Sequence, residues 1–151
     1  AGYKYNLPDL LAAVGREQLK KADRFLAERR QIAEIYNAAF KDLPFAELPP
    51  DGPGHAWHLY SLRLRPDSLR IGRNEFVEEL RKAGIGTSVH FIPLHIMPYW
   101  ADRYGLSPES FPEAYASFLR TISLPIWQGM GEDRARAVVR AVAGTGASFS
   151  A

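Results

Sequence analysis

Apolar residues recur at three- and four-residue steps through the early part of the chain. Leu11, Val14, Ala22, Phe25, Ile32, Tyr36, Ala39 and Leu43 share one stripe with the polar Gln18 and Arg29. The stripe covers residues 9–43, which is long for one helix of a globular protein. Pro8 suits a first helical turn, where its missing N–H costs little, and Asp9 favours the positive end of the helix dipole. Gly15 weakens the run by ~1 kcal/mol relative to alanine. The pattern therefore predicts a long N-terminal helix, a spine for the domain, kinked or broken between Gly15 and Asp23. The Lys20–Arg30 stretch is basic, but acids interleave with its bases on one side of the apolar stripe. That arrangement is a solvated helix face and not a nucleic-acid surface.

After this spine the periodicity changes. Residues 44–54 are rich in proline and glycine and read as a connection. From His55 to Arg65, His58, Tyr60, Leu62 and Leu64 alternate with Trp57, Leu59, Ser61, Arg63 and Arg65, a strand whose first set faces the core. A helix is predicted from Arg73 to Ala83, with Phe76, Val77 and Leu80 inside. Gly84 ends it, because glycine accepts positive φ without a Cβ clash. A central strand follows over residues 87–92, stopped by Pro93. Residues 93–111, with Tyr99, Trp100, Tyr104 and Phe111, read as a long aromatic loop, a kind of segment that often carries function. A helix over Pro112–Arg120, a strand over Thr121–Ile126 and a helix over Glu132–Ala143 complete the domain. Gly144 is read as the last stop, leaving 144–151 as a frayed tail. The fold class expected is α/β (α+β): a small three-stranded sheet with helices packed on one face, strand direction left open.

Composition narrows the function. The length suits one domain, and 19 basic residues against 17 acidic ones leave a net charge of +2 with no broad cationic face. No cysteine is present, so disulfides, zinc–thiolate sites and thiol nucleophiles are excluded, which fits a reducing cytosol and a cytoplasmic location. No apolar run approaches the ~20 residues needed to span a membrane. Neither a phosphate-binding glycine loop nor a Gly-x-Ser-x-Gly elbow is found, and no His/carboxylate cluster has metal-ligand spacing. A stand-alone hydrolase or metalloenzyme is therefore not expected, and neither is a nucleic-acid or membrane partner. The chain opens on Ala-Gly-Tyr-Lys-Tyr-Asn without an initiator methionine, as a piece of a longer chain would.

Two stretches hold the candidate site. Gly84-Ile85-Gly86-Thr87-Ser88-Val89-His90-Phe91-Ile92-Pro93-Leu94-His95 places a helix stop, a strand and an imidazole next to one another, as ligand sites at element edges often do. On spacing alone His90 and His95 are more simply packed or surface histidines, and Pro93 between them excludes a helical metal pair. In the extended residues 1–7, Lys4 and Asn6 share a face, and Asn6 is equally a candidate helix cap.

Taken in order, these segments resemble one family. Gly2-Tyr3-Lys4-Tyr5-Asn6-Leu7-Pro8-Asp9, then Ala12-Ala13-Val14-Gly15 and Gln18-Leu19, is similar to the opening of the second domain of pyridoxal-phosphate sugar aminotransferases of the DegT/StrS type. Arg29-Arg30-Gln31-Ile32-Ala33 with Tyr36, His55-Ala56-Trp57-His58-Leu59-Tyr60, the Gly84–His95 segment and Ser123-Leu124-Pro125-Ile126 continue the match to about Ala143. The resemblance implies the C-terminal small domain of a fold-type-I enzyme, residues 1–143 including the linking helix 9–43, acting in amino-sugar or polysaccharide biosynthesis. It implies a homodimer that binds pyridoxal 5'-phosphate, a nucleotide-linked keto-sugar and an amino donor. In that family the Schiff-base lysine and the aspartate facing the pyridine nitrogen lie in the larger N-terminal domain. None of Lys4, Lys20, Lys21, Lys41 and Lys82 matches the lysine motif, so no catalytic residue is expected here and the chain alone should be inactive. Lys4 stands where the family more often has an asparagine that reaches the cofactor phosphate of the other subunit. Asn6 occupies a position often held by arginine. Both are expected cofactor contacts, while His90, Phe91 and His95 are expected to bind substrate. Two alternatives remain open at this point: the dehydratase branch of the family, in which histidine replaces the lysine, and a free-standing interaction domain without catalysis.

Overall fold

A computed structural model describes residues 3–151. Among the described residues, six α-helices and three strands follow in the order α1 (Asp9–Leu19), α2 (Ala22–Phe40), β1 (Ala46–Glu47), β2 (Tyr60–Leu64), α3 (Arg73–Lys82), α4 (Pro98–Tyr104), α5 (Pro112–Arg120), β3 (Thr121–Leu124) and α6 (Glu132–Ser148). The spine does break where glycine and the polar Gln18–Asp23 stretch predict it, between Leu19 and Ala22. The two halves then differ. Ile32, Ala33, Tyr36 and Phe40 of α2 are buried, whereas α1 buries nothing and leaves Leu10 77% exposed. Phe25 sits between these cases, half-buried under the Arg24 guanidinium at 5.3 Å.

The sheet is antiparallel throughout, in the order β1-β2-β3. Tyr60, Leu62 and Leu64 alternate inward on β2 as the sequence pattern predicts. Together with Ile122 and Leu124 they meet Tyr36 and Phe40 of α2, Phe76 and Leu80 of α3, and Ala135, Val138 and Val142 of α6. The centre is aromatic. Tyr36 and Tyr60 meet edge to face at 4.9 Å, and their hydroxyls donate to Pro125 O (2.7 Å) and to Asn37 Oδ1 (2.8 Å).

Four expectations are corrected. The strand predicted from His55 begins only at Tyr60, because Trp57 adopts φ +47°, a left-handed conformation that a bulky residue rarely takes. That turn buries Trp57 against Tyr60 and leaves His58 exposed. The predicted central strand over 87–92 reduces to one bridge, Ser88 with Ser123. Val89, Phe91 and Ile92 all stay exposed, so neither face of the segment is buried and no register is enforced. The third strand is instead Ala46–Glu47, too short for any periodicity to announce. The aromatic loop 93–111 contains α4, opened by Pro98 and closed by the left-handed Gly105, plus single turns at Leu94–Ile96 and Pro108–Ser110.

The fourth correction concerns the end of the chain. Gly144 does not stop α6, which continues to Ser148. The remaining residues are tied down: Arg70 N–H donates to Phe149 O (2.8 Å), Arg70 Nε to Ser150 O (2.9 Å) and Ala151 N–H to Ser68 O (3.2 Å). Glycine is used here for contact and not for termination. A Cβ on Gly146 would lie 2.0 Å from Cε1 of the buried Phe45.

Two outcomes follow from this packing. Gly146→Ala should destabilise the protein by about 1–3 kcal/mol despite alanine's better helix propensity. Adding Phe45→Leu in a double-mutant cycle should recover part of that loss in urea melts. Separately, burial pushes the Tyr36 and Tyr60 hydroxyls well above the ordinary value of 10.0. Below that pH the phenols are protonated both folded and unfolded. Above it the unfolded chain ionises first, so stability should fall as pH rises past 10 and onward through the folded pKa. Tyr36→Phe should cost about 1–2 kcal/mol at neutral pH, through the lost bond to Pro125. It should also shallow the alkaline decline in pH-dependent melts.

Candidate functional site

Directly paired residues of an antiparallel sheet project to the same face. Ser61 pairs with Ser123, Arg63 with Thr121 and Glu47 with Arg63, so the face opposite the core is polar. It forms the floor of a groove of about 330 Å³. One wall is α5, through Ser117 and Phe118. The other is the 90–93 segment, held against β3 by the reciprocal Ser88–Ser123 bonds of 3.2 and 2.8 Å. The one surviving bridge of the predicted strand therefore builds the wall that carries His90 and Phe91.

Charge on this floor is organised by one carboxylate. Glu47 pairs with Arg63 through Oε1 and with Arg120 through Oε2, the latter at 2.5 Å. All three are about 30% exposed, so solvent screening weakens these pairs less than at an open surface. Arg73 fixes the end of α5, donating to Phe118 O at 3.2 Å and Thr121 O at 3.1 Å; burial holds its pKa below the usual arginine range. Ser123 Oγ and Thr87 Oγ1 are buried with no hydrogen-bond partner.

The residues singled out from the sequence fall in three places. His90 and Phe91 line the groove, their rings edge to face at 5.4 Å, with Phe91 84% exposed. His95 does not line it. Its ring is buried in the 94–96 turn, 5.2 Å from Phe111, with Nε2 unpartnered. Lys4 and Asn6 lie on the exposed residues preceding α1 and do not line the groove that holds His90 and Phe91. No sequence motif marks Arg63 and Ser61 as site residues. Their alternation did place them away from the core, but pairing with β1 and β3 is what joins them to Glu47, Thr121 and the 90–93 wall.

Comparison with known proteins identifies the scaffold. The family model for the DegT/DnrJ/EryC1/StrS aminotransferases matches residues 1–143. The chain belongs to the DegT/DnrJ/EryC1/StrS aminotransferase family. An uncharacterized protein of Methanocaldococcus jannaschii is 46% identical over 143 residues, which cover 93% of this chain and 37% of that protein. The spore coat polysaccharide biosynthesis protein SpsC of Bacillus subtilis is 41% identical over 144 residues, with the same two coverages, 93% and 37%. Among solved structures, the putative sugar aminotransferase Spr1654 from Streptococcus pneumoniae in its PMP-form superposes with a TM-score of 0.86 at 27% identity, over 97% of this chain and 37% of that one. That protein is also known in a PLP-form. The chain thus spans little more than a third of the length of these relatives.

The family's cofactor fits this chain only in part. Lys20 and Lys82 are exposed and pair with Glu17 and Glu79, Lys21 and Lys41 are exposed, and no lysine lines the His90 groove. A lysine that condenses with an aldehyde works in an enclosed, desolvated site, which none of these occupies. Lys4 and Asn6 do offer a cation and amide donors, the chemistry that suits the edge of a phosphate.

His95 yields a direct test of its surroundings. His95→Leu removes an unpartnered buried nitrogen and keeps an apolar side chain beside Phe111. It should raise stability by about 1 kcal/mol in urea melts of this chain. A loss of that size would show that Nε2 has a partner.

Proposed function

We propose that the chain is the C-terminal portion of a pyridoxal-phosphate-dependent aminotransferase acting on a nucleotide-linked keto-sugar, and that it works within a cytoplasmic homodimer. What carries the reading is the family match over residues 1–143 in a chain covering 37% of its curated relatives, one a polysaccharide biosynthesis protein. The exposed apolar surface supports it. Tyr3 and Tyr5 are each 86% exposed, and Leu7, Leu10, Leu11 and Leu19 are also open, more than an isolated domain usually leaves to water. The rest of the enzyme or a second subunit would cover that surface.

Bound pyridoxal phosphate would supply the electron sink and amine carrier for transamination. The residues here do the holding. Lys4 contributes a point charge and Asn6 an amide donor to the cofactor phosphate of the other subunit. His90 and Phe91 present an imidazole and an aromatic edge to the nucleotide-sugar. His95 acts at one remove, by anchoring the turn that follows Pro93.

The reading is tested on the full-length enzyme and on the chain by itself. The full-length protein should convert a nucleotide keto-sugar and an amino donor to the amino-sugar, followed by mass spectrometry. A Lys4→Ala/Asn6→Ala double variant should lose cofactor affinity about ten- to hundred-fold, the cost of a donor to a charged group. His90→Ala should raise the KM for the sugar nucleotide. The chain alone, treated with pyridoxal phosphate and borohydride, should show no stoichiometric labelling of one lysine. Such labelling together with turnover would overturn the reading.

A further inference from the structure

The groove floor carries more positive charge than its own partners neutralise. Arg63 and Arg120 share the single carboxylate of Glu47, one oxygen each. Arg73 has its guanidinium engaged by Phe118 O, Thr121 O and Asn74 Oδ1, at the end of α5. Of these three arginines only Arg63 lines the groove with His90 and Phe91. A guanidinium has five donors in a planar fork, and one carboxylate oxygen leaves most of them free. Ser61 shares the floor two residues away on the same strand face and has a hydroxyl that can donate; Thr121 also lines the floor, but its hydroxyl proton is committed to Ser117 O at 2.6 Å. The Ser61 hydroxyl, a half-buried cation in excess and the open rings of His90 and Phe91 on one wall make a surface for an anionic, ring-bearing ligand.

The geometry points to Arg63 as the residue that binds the diphosphate of the substrate, laid across the β2–β3 floor between His90 and α5. Glu47 orients the guanidinium, and its second bond to Arg120 keeps it from neutralising Arg63 fully. This assignment rests on the sugar-nucleotide reading above. The same three charges also pin β1 to β2 and to the end of α5, so the test separates substrate binding from support of the fold.

The full-length enzyme is compared with its Arg63→Gln, Arg63→Lys and Ser61→Leu variants. The readouts are kcat, KM for the sugar nucleotide, KM for the amino donor, and inhibition by inorganic pyrophosphate. Arg63→Gln should raise the sugar-nucleotide KM and the pyrophosphate inhibition constant about ten- to hundred-fold, with kcat and the amino-donor KM unchanged. Arg63→Lys should fall between, since lysine keeps the charge and loses the fork. Ser61→Leu fills the floor without touching the charges and should raise the same two constants. An unchanged sugar-nucleotide KM in Arg63→Gln, or a rise confined to the amino donor, overturns the assignment. If Arg63→Gln fails to fold, unchanged pyrophosphate inhibition in Ser61→Leu overturns it. A wild-type enzyme that binds pyrophosphate through Arg63 and aminates no sugar nucleotide keeps this site and removes the aminotransferase reading. Turnover that does not depend on Arg63 removes only this site.

Discussion

The fold depends on a knot of aromatic rings between α2 and β2. Tyr36, Phe40, Trp57 and Tyr60 are almost wholly buried, and their rings meet at 4.9–6.3 Å. Burying such rings is favourable, but two of them carry hydroxyls that would be costly if left unpaired. Both are satisfied, and their partners do structural work. Tyr36 reaches Pro125 O, just past β3, and Tyr60 reaches Asn37 on α2. One set of contacts thereby fixes the helix against the sheet and the third strand against both.

This knot also explains why the polar face of the sheet is available for chemistry. Once Tyr60, Leu62 and Leu64 turn inward, Ser61 and Arg63 must turn outward, because successive strand residues alternate. The same holds for Thr121 and Ser123 on β3, whose register sets them opposite Arg63 and Ser61. The face then receives α5 and the 90–93 segment without closing over. The site is a by-product of the core's handedness and register, and the ionic group around Glu47 occupies it because no apolar layer does.

Much of this organisation was legible in the chain. The helical stripes over α2, α3 and α6 and the alternation in β2 come from periodicity, which reports a buried face without needing its partner, and α5 is announced by Pro112 at its first turn. The sequence motifs also led to His90 and Phe91, which do line a groove. Periodicity failed where the decisive interaction was not local. The strand expected at 87–92 has apolar residues but no surface to bury them, and β1, only two residues long, exists solely through its pairing with β2. Gly144 looks like a helix stop because glycine usually is one, yet α6 runs on through it to Gly146, which lets the helix approach Phe45. Tertiary contact overrode the local signal in each case.

The sequence by itself therefore determined that α2, α3, α5 and α6 are helical, which faces of α2, α3 and α6 turn inward, and which family the ordered motifs resemble. These are one-dimensional properties, set by the spacing of side chains and the stereochemistry of glycine and proline. Only the tertiary structure decided that Glu47, Arg63 and Arg120 form one ionic group and that His90 and Phe91 line the same groove as Arg63, while His95 is turned into the packing. Glu47 and Arg120 lie far apart in the chain, and the Arg120–Glu47 bond exists because β1 and the end of α5 both pack beside β2.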